Sequence, residues 1–284
     1  MKKIGIALGG GGARGICHIE FLKVLDEMNL KPSIISGTSI GAIVGSMYAS
    51  GLSGLELEEI VHEIDFKDLL KMIDFSFLSR TSLVKGKKVE EFLKEHITDK
   101  YFEDLQIPMK IVATDYWRAE DVIFNSGKLL PAIRASMSIP AIFEPVKLDN
   151  RILIDGGVTN NLPFDIIRDE CDILIAIDVS GSRSIPKNLK APIWFDNIMN
   201  SYEILQASIV DYQMKIAKPD IYIKPELLDI RILEFEKSKK ILKSVDKEVE
   251  QLRRELKEKL QTHLSKRTGL RDIRDNIKDK IRNR

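Results

Sequence analysis

The sequence predicts an α/β fold: a mostly parallel central sheet flanked by helices, followed by a C-terminal helical extension. Three observations predict it. Short apolar runs of strand length recur, bounded by glycines, prolines and polar residues. The first two are each followed by a stretch with helical spacing, and two strand–turn–helix units in succession call for parallel strands with right-handed crossovers. Beyond residue 237 the pattern turns charged and amphipathic, with no further strand.

The first run, residues 3–8, ends at Gly9 to Gly12 and reads as a buried parallel strand feeding a turn. Ile16, Ile19, Phe21, Leu22, Leu25 and Met28 then recur at helical spacing over 14–28. Pro32 interrupts the chain, and 33–36 form a second short strand. Residues 40–50 are small and apolar, as a buried helix requires, with Gly51 as its stop. The stretch 55–96 is helical but irregular. Strand candidates return at 110–114, 121–125, 151–154 and 172–179, and Pro186 and Pro192 mark a loop. A helix is expected over 194–217 and a last strand over 220–223. Ile241, Val245, Val249, Leu252, Leu256 and Leu260 recur every three or four residues between charges. That stripe either pairs helices between subunits or packs on the body. Ile273, Ile277 and Ile281 continue the spacing in a basic tail.

At 284 residues, 44% hydrophobic and 31% charged, the chain has length for a large core and no sign of wholesale disorder. It divides into an α/β domain over 1–236 and a basic amphipathic extension over 237–284. The net charge of +1 conceals an uneven split, with 17 Lys/Arg against 8 Asp/Glu from Lys237 onward and 27 against 35 before it. Such a tail suits an anionic lipid surface, or is simply a solvated helix; no nucleic-acid partner is expected. Cys17 and Cys171 are too few for a disulfide framework, which points to a reducing compartment. No stretch approaches the ~18–20 apolar residues of a membrane-spanning helix. The expectation is a cytoplasmic protein, peripheral to a membrane at most.

The chemistry centres on Gly37-Thr38-Ser39-Ile40-Gly41, a G-x-S-x-G pattern at a strand-to-helix turn, where hydrolases place a nucleophilic serine. Upstream, Gly9 to Gly15 follows a strand and opens a helix. Gly10, Gly12 and Gly15 satisfy G-x-G-x-x-G, but a dinucleotide site also needs an acid at the end of the second strand, and Ser36-Gly37-Thr38 stands there. The other use of the loop is to aim backbone N–H groups at an oxyanion, with Arg14 bonding within the loop or attracting an anionic head group. Of the four histidines, His18, His62 and His96 fall on helices, and only His263 has the chain order of a Ser-Asp-His enzyme. A carboxylate is the better base. Asp155 follows an apolar strand and precedes Gly156-Gly157, at the mouth of a sheet, and partial burial would raise its basicity.

The glycine loop, the elbow around Ser39 and the Asp155-Gly156-Gly157 turn, in that order, resemble the patatin-like phospholipase family. Ile133 to Pro140 and Asn160-Asn161-Leu162-Pro163 resemble its bacterial members. The resemblance covers about residues 3–180 and implies a three-layer α/β/α fold and a Ser-Asp dyad without histidine, Ser39 and Asp155. It also implies an oxyanion hole from Gly10, Gly11, Gly12 and Arg14, no metal or cofactor, and hydrolysis of phospholipids, lysophospholipids or related lipid esters. Glu20 departs from it, standing where members commonly carry a small residue. For a lipid substrate the apolar segment 69–78 is a candidate lid or acyl-chain wall, with a core helix as the alternative. A reading of a different class makes the body a non-catalytic lipid-binding scaffold whose terminal helices recruit a partner. The joint presence of Ser39, Asp155 and the glycine loop argues against it.

Overall fold

The computed structural model describes residues 2–64, 87–98, 100–182, 184 and 191–261. The segment 69–78, His263 and the tail beyond 261 fall outside them.

The all-apolar run of β1 (Ile4–Leu8) is the middle of the sheet, buried at every position. It pairs in parallel with β2 (Ile34–Thr38) on one side and with β7 (Ile173–Ile177) on the other. Parallel pairing continues outward to β3 (Met109–Asp115) and to β8 (Ile221–Ile223). The remaining strands, β4 (Glu120–Phe124), β5 (Val146–Leu148) and β6 (Arg151–Asp155), pair antiparallel at the β3 end. The order among the described residues is β5-β6-β3-β2-β1-β7-β8, with β4 beside β3. The parallel core follows the expected strand–turn–helix order. The antiparallel margin is an addition, and β5 is too short to leave a periodic signal.

The register of β3 matters most for the site. β4 pairs with Ile111 to Asp115, overlapping both other partners, so it occupies one edge of β3 alone. β2 and β6 therefore share the opposite edge, β2 as far as Val112 and β6 from Ala113 onward. Because β2 runs parallel to β3 and β6 runs against it, their C-terminal ends meet head to head. Thr38 lies opposite Val112 and Asp155 opposite Ala113.

Helices cover the sheet. The first begins as a 3-10 turn over Gly12–Cys17 before α1 (His18–Glu27), in which the half-buried Glu20 pairs with Lys23 at 3.0 Å. Next come α2 (Ile40–Ala49) and α3 (Gly54–Glu63), the latter opened by a Ser53–Glu56 capping box. The 241–260 stripe packs on the body. Ile241, Val245, Leu252 and Leu256 are fully buried in the same cluster as β1 and α1, and Arg253 pairs with Glu27 at 2.6 Å. Charge composition changes at residue 237, but apolar packing runs across it. Among the described residues no helix is long and apolar enough to cross a membrane.

Candidate active site

Ser39 joins β2 to α2 with φ 55° and ψ −120°, a conformation that side chains rarely adopt. The chain turns this sharply because Gly41 lies against the Leu8 carbonyl of β1, where any Cβ would collide. Ser39 is 5% exposed, and its N–H donates to the Ser136 hydroxyl at 2.9 Å.

Asp155 ends β6 and is buried. The sequence-based expectation placed it at the mouth of a sheet. It stands at the C-terminal end of an antiparallel strand, beside the end of β2. One carboxylate oxygen, Oδ1, accepts from the Gly157 N–H at 2.7 Å and from the Tyr202 hydroxyl at 3.2 Å. Oδ2 is buried with no hydrogen-bond partner among the described residues. Burial raises the carboxyl from its ordinary value near 3.8 to about 6, against the pull of the Ser39 hydroxyl, the Gly157 N–H and Tyr202.

The glycine loop is set by three side chains on three consecutive carbonyls. His18 Nε2 lies 2.9 Å from the Gly9 carbonyl, Asn161 Nδ2 3.1 Å from that of Gly10, and Arg14 Nε 3.3 Å from that of Gly11. In a trans peptide the next N–H points away from the carbonyl. Fixing these carbonyls therefore fixes the Gly10, Gly11 and Gly12 N–H groups on the other side. The Gly10 N–H is already committed, donating to the Asn161 carbonyl at 2.9 Å. This removes Gly10 from the expected oxyanion hole and leaves Gly11 and Gly12. Arg14 also departs from part of its reading. It is 1% exposed, bonds within the loop and ion-pairs with Glu203 at 3.4 Å, so its guanidinium is closed to a head group.

Each of the described histidines is engaged by a neighbouring group. The buried His18 is held neutral by burial, its pKa lowered to about 4, and its Nε2–H supports the loop. His62 pairs with Glu58 on α3, and the His96 Nδ1–H donates to the Phe92 carbonyl.

The segments around the motifs are fasteners. Ser136 receives the Ser39 N–H, and the Ser138 carbonyl receives that of Asp155 at 2.9 Å. Thr38 and Ser36, facing out of β2, donate to the carbonyls of Asn160 and Pro163 at 2.8 and 2.7 Å. The long helix Trp194–Ile216 adds residues that sequence reasoning missed. Tyr202 reaches Asp155, Glu203 reaches Arg14, Gln206 reaches Asn161 at 2.9 Å and Gln213 reaches Asn160 at 3.0 Å. The available signal was polar residues at 202, 206 and 213, one helical face otherwise hard to explain.

A cavity of about 140 Å³ opens onto Ser39 and Gly12. Every other lining residue is hydrophobic, among them Ile16, Ile40, Met137 and Phe143. Among the described residues no three or more His, Cys, Asp or Glu are grouped to hold a metal ion.

A family model for patatin-like phospholipases matches residues 6–168. The chain belongs to the patatin-like phospholipase family. An NTE family protein of Mycobacterium tuberculosis is 32% identical over 211 residues, 72% of this chain and 57% of that protein. The human patatin-like phospholipase domain-containing protein 6 is 35% identical over 184 residues, 63% of this chain and 13% of its own length. The chain thus spans little more than half of the mycobacterial relative and a small part of the human one. Among solved structures, VipD from Legionella pneumophila superposes with a TM-score of 0.55 over 89% of this chain and 66% of its own, at 14% identity, a likeness of fold alone.

Proposed function

We propose that this patatin-like chain is a serine acyl-ester hydrolase that cleaves lipid esters with Ser39 as nucleophile and Asp155 as general base. The observation that carries the reading is the buried, unpartnered Oδ2 of Asp155 beside a strained serine at the edge of an apolar cavity. A carboxylate with one oxygen held by Gly157 and Tyr202 and the other unsatisfied is poised to take a proton.

In the first half-reaction Ser39 Oγ attacks the ester carbonyl while its proton passes to Asp155. The Gly11 and Gly12 N–H groups receive the developing oxyanion, and the N-terminus of α2 adds a favourable dipole. The carbon–oxygen bond to the alcohol then breaks, and protonated Asp155 returns the proton to the departing oxygen. In the second half-reaction Asp155 deprotonates a water that attacks the acyl-serine. Collapse releases the fatty acid and restores the Ser39 hydroxyl. The hydrophobic wall of the cavity supports an aliphatic acyl chain as the group transferred.

A fluorophosphonate probe is expected to label the wild type at Ser39 and to leave Ser39→Ala unlabelled. Equal labelling of both would overturn the assignment of the nucleophile.

A further inference from the structure

The Trp194–Ile216 helix buries a mixed face, Met199 and Val210 beside Tyr202, Glu203 and Gln206. Its outward side exposes Trp194, Ile198, Ile204, Leu205, Tyr212 and Ile216. At 100° per residue the five other than Ile204 fall within a stripe about 40° wide along the helix. A continuous apolar stripe of this length is unusual on a free surface.

Their spacing is symmetric. Ile198 and Tyr212 lie seven residues either side of Leu205, and Trp194 and Ile216 eleven. Two antiparallel copies crossing at Leu205 would set Ile198 against Tyr212 and Trp194 against Ile216 at both ends, with Leu205 meeting itself. That self-complementarity is what a twofold interface requires. The seven-residue step also suits helices packed near 20°. Ser201 and Ser208, exposed along one margin of the stripe, leave room for close approach.

The five residues are each 45–71% exposed, several hundred Å² of surface per copy, on the order of the apolar patches that mark interaction sites. A stable interface needs on the order of 800 Å² per partner. Apart from the buried Glu203, the charges on the helix are Asp196, Asp211 and Lys215, with no cationic excess to hold an anionic bilayer. We infer that this outer face is the interface of a twofold homodimer centred on Leu205.

Sedimentation equilibrium of the full chain at micromolar concentration tests this. The wild type is expected to be a dimer, and Leu205→Glu a monomer with unchanged circular dichroism and melting. Leu205 is 63% exposed, so the charge does not enter the core. Leu205→Cys is expected to form an intermolecular disulfide under air, with the wild type as control because Cys17 is buried and Cys171 half-buried. A monomeric wild type, a dimer that survives Leu205→Glu, or a dimer whose Leu205→Cys form does not cross-link would each overturn it. So would binding of a monomeric wild type to phosphatidylcholine–phosphatidylglycerol vesicles that Leu205→Glu abolishes, since the stripe would then face lipid. None of these readouts depends on hydrolysis, so they stand or fall apart from the proposed reaction.

Discussion

Asp155 and Asp178 are both buried aspartates at the C-terminal ends of sheet strands, yet they are held in opposite states. Each accepts the N–H of the residue two positions on, Gly157 or Ser180, and each accepts a tyrosine hydroxyl, from Tyr202 or Tyr222. Burial pushes both carboxyls up. At Asp178 the Lys224 ammonium, 3.1 Å away, together with Tyr222 and Ser180, outweighs that effect and holds the group below the usual carboxylate range. Asp155 has no salt-bridging cation among the described residues and settles at about 6. One lysine separates a structural anion from a candidate base.

The largest expected effect breaks the comparison at Asp155. Asp155→Asn should lower kcat by about a thousandfold or more if the aspartate is the base. It should also stabilise the protein at pH 8 by roughly 1–3 kcal/mol. The sign follows from the raised pKa: the native state holds its proton more tightly than the unfolded chain, so wild-type stability falls as pH climbs from near 3.8 to about 6. The advantage of the asparagine appears above that interval and vanishes below it. Asp178→Asn should do the reverse, destabilising by about 1–3 kcal/mol at pH 7 because Lys224 and Tyr222 lose their acceptor, while Ser39 keeps its reactivity. Denaturant melts at pH 4 and pH 8 distinguish the two. Asp155→Asn with full esterase activity would remove it from the mechanism.

Two smaller effects sharpen the comparison. The pH profile of kcat/KM should show an acidic limb near pH 6, because Asp155 must be ionised to take a proton; a limb near pH 4 would identify an ordinary exposed carboxylate. Tyr202→Phe removes a hydrogen bond that favours the charged form, so the limb should move to higher pH with only a several-fold loss of kcat. A kcat loss with an unmoved limb would mean that Tyr202 acts through packing alone.

Much of the candidate site was legible because its turns are local chemistry. Gly37 and Gly41 around Ser39, the glycine loop and Asp155-Gly156-Gly157 each announce a bend over a few residues, and the bends lie where they were expected. Pairing across the chain was not legible. Nothing in Arg151 to Asp155 shows that this strand runs against β3, since alternation fixes a face and not a direction. The loss of the Gly10 N–H to the Asn161 carbonyl is likewise a contact across 151 positions, invisible to motif reading. The contact of His18 with the Gly9 carbonyl depends on tertiary packing and left no signal in the sequence. The Trp194–Ile216 helix was located closely from its pattern, but Glu203 and Gln206 are buried on it beside Met199 and Val210 while Leu205 and Ile216 are exposed, so apolarity alone did not mark its inner face.

The head-to-head meeting of β2 and β6 has a mechanical consequence. Thr38 and Asp155 are referenced to Val112 and Ala113, neighbours on a single strand that is buried on the sheet interior. The offset between the proposed nucleophile and base is thus tied to one residue step of β3, about 3.3 Å, and not to the fit of one helix against another. Any shift of the helices above the sheet would leave the ends of β2 and β6 in register on that strand. Adaptable volume and fixed alignment are assigned to different layers of the molecule.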